Sequence, residues 1–428
     1  MRHPLRSLAV TALSAVIGCG ALTAQGALRS RVEGSGDGKV QFRFAARSDV
    51  CGLGQAFQVG RSYFVNNGPG LGDGWDRVCH RGPVVVRVTR AGGQVVGVET
   101  EIAPETSPDG VNDIGTVSAS GAAEYLLDLA ARADGRPGRE AILPAVLADS
   151  ASVWPGLLAI GKNRDVSRSV RQSALSWLGR ELDRISVEDG RRASASLVAI
   201  ATDGEETLSI RQQAVSVLAR NQRADLSALT RMATGPDSWL RDAAIQAMAN
   251  SGDPRAREFL RTALNDQDLS EKLRVTVVRG IGNSYATGKD IELLRSRYAG
   301  ISSLEAKRAI LNAVGEQGGT ANLQWLIGVA ADPNTVPELR GQAAESAQRA
   351  GASSAQLAKL YDDSPDRRGK EAAINGLFKN GDRAAVDALV RIARNETDPS
   401  VRRSLINRLG RLDDERVKNL LKELTEAR

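Results

Sequence analysis

Histidine is nearly absent from this chain: 428 residues contain two, His3 and His80. Catalytic triads and most metallohydrolase centres depend on imidazole for proton transfer or ligation, so the chain is poorly supplied for either. Neither a Gly-x-x-x-x-Gly-Lys phosphate loop nor a strand-linked dinucleotide motif is present. Asp73 and Asp76 lie in a Gly-rich loop, but two carboxylates lack the remaining ligand spacing of a calcium loop. No metal, cofactor or catalytic residue is expected. Aromatics are scarce too, 4% against 42% hydrophobic residues, so the core must be built from Ala, Leu, Val and Ile. That composition suits close helix-on-helix packing. A dominant charge is also missing. Of 57 basic residues, Arg2 and Arg6 fall in a leader-like segment, leaving 55 against 51 acidic ones. An excess that small does not imply nucleic acid.

Residues 1–24 read as an export signal: a basic start at Arg2, His3 and Arg6, an apolar run from Leu8 to Ile17, then small residues. The run is too short to span a bilayer stably. Val16-Ile17-Gly18-Cys19 resembles a bacterial lipoprotein box, with Cys19 as the lipidated residue. Cleavage near Ala21, Ala24 or Ala27 is the alternative, and the imperfect residues before Cys19 favour it. Both routes use up Cys19 and leave Cys51 and Cys79 as a pair. An oxidising compartment would join them. The expected location is periplasmic or secreted, with membrane attachment only through a lipid on Cys19.

Residues 28–104 form one compositional region. Val40, Phe42 and Phe44 alternate with polar residues, as do Val84, Val86 and Val88 and, across Ala91-Gly92-Gly93, Val96 and Val98. A period of two with a glycine turn predicts a β-rich module containing a hairpin. Residues 105–120 lack periodicity and are expected to be a linker. Helical patterning fills 121–428.

The helical region is periodic. Arg139, Arg171, Arg211, Arg241, Arg274, Lys307, Arg340, Lys370 and Arg402 recur at steps of 30 to 40 residues. Three and seven residues after each stand small or aliphatic side chains, for example Ala174 and Leu178. Such self-similarity marks stacked two-helix units, each contacting mainly its neighbours. Asp413 to Ala427, rich in Lys and Glu, reads as a closing helix with a polar outer face.

The pattern aliphatic-basic-x-x-small, as in Val170-Arg171 to Ala174 and Leu240-Arg241 to Ala244, resembles the second helix of HEAT repeats. Asp398-Pro399-Ser400-Val401-Arg402 lies close to that family's consensus. The resemblance implies a HEAT-repeat α-solenoid over 121–428, behind the β-rich module. It also implies second helices that line a concave face.

On a helical wheel the basic residue falls inside the apolar arc formed by the positions one before and three, four and seven after it. A guanidinium there must find carboxylates or helix-end carbonyls, so the ladder is expected to be structural. The fifth position after it lies opposite and is polar in the eight units from Arg171 onward: Ser176, Ser216, Gln246, Arg279, Asn312, Glu345, Asn375 and Asn407. These are the candidate binding residues. The function expected is a non-catalytic scaffold for a protein partner of unspecified identity. An enzyme or ligand site in the β module, and a plain structural spacer, are the alternatives.

Overall fold

The computed structural model describes residues 27–60, 62–65, 79–104, 109–220, 226–266 and 268–426. The expected signal segment with Cys19, and the loop holding Asp73 and Asp76, lie outside the described residues. The chain divides into two compact units, Met1–Ala228 and Leu229–Arg428.

The first unit opens with a helix, α1, over 27–34, where the sequence reading had already begun the β-rich module. Its C-terminal end is held by Arg90, whose guanidinium donates to the carbonyls of Glu33 (2.6 Å) and Gly36 (2.9 Å). Seven strands follow: β1 (Gly38–Phe44), β2 (Val50–Leu53), β3 (Ala56–Val59), β4 (Ser62–Val65), β5 (Val84–Ala91), β6 (Gln94–Ile102) and β7 (Val111–Thr116). One sheet runs β6-β5-β1-β7 and a second runs β2-β3-β4. Between β5 and β6, Gly92 and Gly93 both have positive φ, as a tight hairpin turn requires, and their amides donate to the Asp37 carboxylate. The alternation expected from sequence sets the register: Val40 faces Val88, Phe42 faces Val86 and Phe44 faces Val84. Both phenylalanines are fully buried, and the Phe42 ring meets Tyr125 edge-on, 6.0 Å between centroids. Cys51 and Cys79 form a disulfide. Beside it, Gly52 and His80 exchange backbone hydrogen bonds.

The expected linker is corrected by β7. Within 105–120, Val111–Thr116 pairs in parallel with β1, Lys39 opposite Val111 and Gln41 opposite Asp113. No alternation announces it because none of its side chains is fully buried. As an edge strand it is fixed by backbone bonds and by the ion pair of Arg43 with Asp113.

Helices of the first unit come in pairs: α2 (Ala119–Arg132) with α3 (Gly135–Leu147), α4 (Trp154–Lys162) with α5 (Arg168–Glu181), and α6 (Val187–Thr202) with α7 (Leu208–Arg220). The second unit continues after α8 (Ser227–Thr234) with α9 (Ser238–Ser251), α10 (Pro254–Ala263), α11 (Glu271–Ile281), α12 (Gly288–Arg297) and α13 (Leu304–Gln317). Next are α14 (Thr320–Ala331), α15 (Pro337–Arg349), α16 (Ser354–Asp363), α17 (Arg367–Asn380), α18 (Arg383–Asn395), α19 (Pro399–Leu409) and α20 (Glu415–Glu426). Local chemistry sets their starts. Asp253 caps α10 by accepting from the Arg255 amide while Pro254 takes the first helical position, and Ser353 with Gln356 forms a capping box on α16.

Second helices pack on second helices, α3 on α5 and α5 on α7 in one unit, α9 on α11, α11 on α13, α13 on α15 and α15 on α17 in the other. Val170, Ala174 and Leu178 are fully buried, as are Ile310 and Val314 one helix family further on. Each large aliphatic contributes about 1.5 to 3 kcal/mol by leaving water. Small residues let the backbones close up: a Cβ on Gly315 would lie 2.9 Å from that of Ser346.

Candidate functional site

The basic ladder divides into two kinds of member. Arg171, Arg211 and Arg340 are buried, with 4, 8 and 5% of their surface exposed. Each points at the end of the helix before it. Arg171 Nε donates to the Gly161 carbonyl (3.1 Å) and Arg211 Nε to that of Ala201 (2.9 Å), ten residues upstream in both cases. Arg340 Nη1 donates to the carbonyl of Asp332, which caps α14 (3.3 Å), and to Pro333 O in the turn (2.9 Å), and Arg274 reaches the carbonyl of Leu264, which caps α10 (3.5 Å), and that of Leu269 in the turn (3.2 Å). A helix end leaves four carbonyls without intrahelical partners and carries the negative pole of the helix dipole, so a cation placed there satisfies both. Acidic partners come from further along the chain: Glu206 on Arg171, Asp366 on Arg340 and Glu396 on Lys370. Lys370 and Lys307 also sit over the rings of Tyr361 and Tyr298, each 5.2 Å from the centroid.

Three members depart from this pattern. Arg139 is exposed, in the unit where Gly138 replaces the aliphatic residue before the basic one. Arg241 leaves 43% of its side chain exposed and its Nε has no hydrogen-bond partner. The helix before it, α8, is only eight residues long, and none of its end carbonyls accepts from Arg241. Arg402 Nε likewise lacks a partner.

Burial works against ionising Glu206, but the Arg171 guanidinium and the Thr207 amide outweigh it and hold the carboxyl below its ordinary range. At Asp290, fully covered between α10 and α12, burial again opposes ionisation. Hydrogen bonds from Arg261 and from the amide and hydroxyl of Thr287 prevail and depress its pKa. These acids lie in turns and caps, where the repeat pattern gave no sign of them. The signal available in the sequence was their separation from the basic residue they meet, 35 residues for Glu206 and 26 for Asp366 and Glu396.

All eight fifth-position residues reach solvent, Arg279, Glu345 and Asn407 most fully. Several of them also join neighbouring helices. Gln342 Nε2 donates to Asn312 Oδ1 (2.9 Å), Thr276 Oγ1 to Gln246 Oε1 (3.3 Å), Arg408 to Asn375, and Arg279 pairs with Glu305 at 2.7 Å. In the second unit this face opens into two clefts. One, of about 630 Å³, is lined by Arg279, Glu305, Arg308, Asn312 and Gln342. The other, of about 550 Å³, is lined by Arg308, Gln342, Glu345, Arg368 and Asn375. Arg308 and Gln342 line both, so the clefts adjoin. Arg308 and Glu345 are exposed there, and among the described residues neither has an ion-pair partner. Ser176, Ser216, Gln246 and Asn407 lie outside both clefts.

Comparison with known proteins locates HEAT repeats at residues 194–271 and 354–428. None of the curated proteins matches the chain. Among solved structures, human deoxyhypusine hydroxylase in complex with glycerol is similar over 61% of this chain and 94% of that one, at 16% identity and a TM-score of 0.26. The complex of CpcE and CpcF of phycocyanin lyase from Nostoc is similar over 59% of this chain and 94% of that one, at 18% identity and a TM-score of 0.29. TM-scores this low carry no argument about this chain. The repeat matches and the observed elements define the class: a mainly helical HEAT-repeat α-solenoid preceded by a small, disulfide-linked β-rich module.

Proposed function

We propose that this chain is a non-catalytic protein-binding scaffold of the bacterial cell envelope, which presents the second-helix face of residues 229–428 to a protein partner. The observation that carries the reading is the pair of adjoining clefts across α11, α13, α15 and α17, with Arg308 and Glu345 on their rim and without an ion-pair partner among the described residues. Charges that a chain does not pair internally supply specificity to an interface, because a partner must match their sign and place. The interior of the repeats is already committed to cohesion through the buried arginines. Export is part of the proposal and rests on the leader-like residues 1–24 and on the disulfide, a bond that persists in oxidising compartments. Among the described residues no helix is long and apolar enough to cross a membrane. Attachment, where it occurs, would be through a lipid on Cys19.

The test is charge reversal at the two unpaired residues. The double variant Arg308→Glu, Glu345→Arg should melt like the parent and lose the proteins that the full chain retains from an envelope extract, read by quantitative mass spectrometry. Lys289→Glu, an exposed charge at the start of α12, serves as control and should retain them. Unchanged capture by the double variant overturns the proposal.

A further inference from the structure

The first unit holds a cleft that the repeat reading does not use. It has a volume of about 440 Å³ and lies where the β-rich module meets α3, α4 and the end of α5. Its floor is a closed set of charges. Arg47 Nη1 pairs with Glu181 (2.8 Å) and donates to Val146 O, Arg47 Nη2 pairs with Asp49 (2.9 Å), and Arg184 pairs with the same Asp49 (2.9 Å). Arg47 and Glu181 are each only 8% exposed. Two cations against two carboxylates leave no net charge at the base. The walls carry hydrogen-bonding groups with spare capacity: among the described residues the side chains of Ser48, Asp149, Ser150 and Ser152 have no hydrogen-bond partner. Trp154 is half-buried at the same cleft and, among the described residues, stacks on no other ring.

The segment bearing these groups is held in place. Arg47 N donates to Leu147 O (3.0 Å) and Asp149 N to Ala45 O (2.9 Å), which ties the end of α3 to the chain entering β2. Ser150 sits at φ +54, a left-handed conformation that a serine adopts only where its surroundings impose it. Pre-set hydroxyls on a rigid rim lower the ordering cost of a ligand.

We propose that this cleft binds a neutral saccharide, one or two rings in size. An anion finds no unpaired cation on the floor and meets the Asp149 carboxylate at the rim. An apolar ligand would strip water from three hydroxyls and a carboxylate without replacing their hydrogen bonds. A sugar ring meets both demands, offering hydroxyls to Ser48, Asp149, Ser150 and Ser152 and a C–H face to the indole of Trp154. The volume falls within the range of about 300 to 1,000 Å³ common to small-molecule sites.

The experiment is tryptophan fluorescence of the full mature chain, titrated with neutral mono- to tetrasaccharides of glucose, galactose and N-acetylglucosamine to about 10 mM, a range that reaches weak affinities. At least one series should change the emission saturably. Trp154→Ala should weaken that binding by roughly tenfold or more, Trp154→Tyr should keep most of it, and Trp325→Phe in the second unit should leave it unchanged. Isotope-edited NMR of the same titration should place the shifted amides within 146–154, which keeps the test valid if Trp154→Ala fails to fold. No saturable response to any sugar overturns the proposal. So does a response confined to inorganic phosphate or to spermidine.

Discussion

The β-rich module and the helical repeats hold themselves together over different distances along the chain. In the module, β1 pairs with β5 from Gly38 to Arg90 and with β7 from Lys39 to Val111, and Arg47 crosses 134 residues to meet Glu181. In the repeats each helix finds its partners within about one unit, as Arg171 does with Gly161 upstream and Glu206 downstream. The difference teaches where single substitutions should hurt. A module built from distant contacts concentrates its dependence in a few residues, whereas an array of near-neighbour contacts spreads it.

The largest effect is therefore expected at Arg47, the one side chain that gathers Glu181, Asp49 and the Val146 carbonyl. Arg47→Ala strands Glu181 in a buried site and should cost about 3 to 5 kcal/mol. Arg47→Lys should recover little, since an ammonium cannot reproduce the forked geometry. Urea denaturation followed by circular dichroism measures both, and a loss below about 1 kcal/mol in Arg47→Ala would break the comparison.

Acid sharpens it from the other side. Both regions hold carboxyls below their ordinary range, Asp37 and Asp49 in the module and Glu206, Asp290 and Glu396 in the repeats, but the module also has a disulfide, which does not titrate. A carboxyl with a depressed folded-state pKa binds its proton first in the unfolded chain. The stability it contributes is complete above its unfolded value and is lost as pH falls through the folded one. The urea midpoint of the helical signal should stay level from pH 7 to about 5 and drop below about 4. Asp290→Asn should lower the midpoint at pH 7 and reduce the drop in acid. An equal drop in that variant would remove Asp290 from the account.

The same contrast of distances explains what was legible in the sequence. The repeats could be read because their core recurs locally: Val170, Ala174 and Leu178 announce a helix face without knowledge of any other segment. Most of the hairpin could be read for the same reason, through Val84, Val86, Val88 and the Gly92-Gly93 turn. Strand β7 could not, because Val111–Thr116 owes its conformation to a parallel neighbour some 70 residues away and buries none of its side chains fully. The wheel placed Arg171, Arg211 and Arg340 in the apolar arc, where they lie. It could not show that Arg241 Nε, on a side chain that is only partly buried, finds no acceptor, because pairing depends on which carbonyls the preceding helix and its turn present. The candidate face was visible as a row of polar residues. Its clefts, and the isolation of Arg308 and Glu345 within them, required knowing which charges neighbouring helices neutralise.

The central claim is a division of labour between basic residues of the second helices, some spent on cohesion and others kept for a partner. Arg340 and Arg308 test it most directly, one buried against the end of α14 and Asp366, the other exposed in both clefts. The measurement is the urea midpoint of Arg340→Ala and Arg308→Ala beside the parent at pH 7. The account predicts a loss of about 1.5 to 3 kcal/mol for Arg340→Ala, which removes charge-assisted hydrogen bonds from a buried site, and a change within about 0.5 kcal/mol for Arg308→Ala. Equal losses, or a larger one at Arg308, would contradict it.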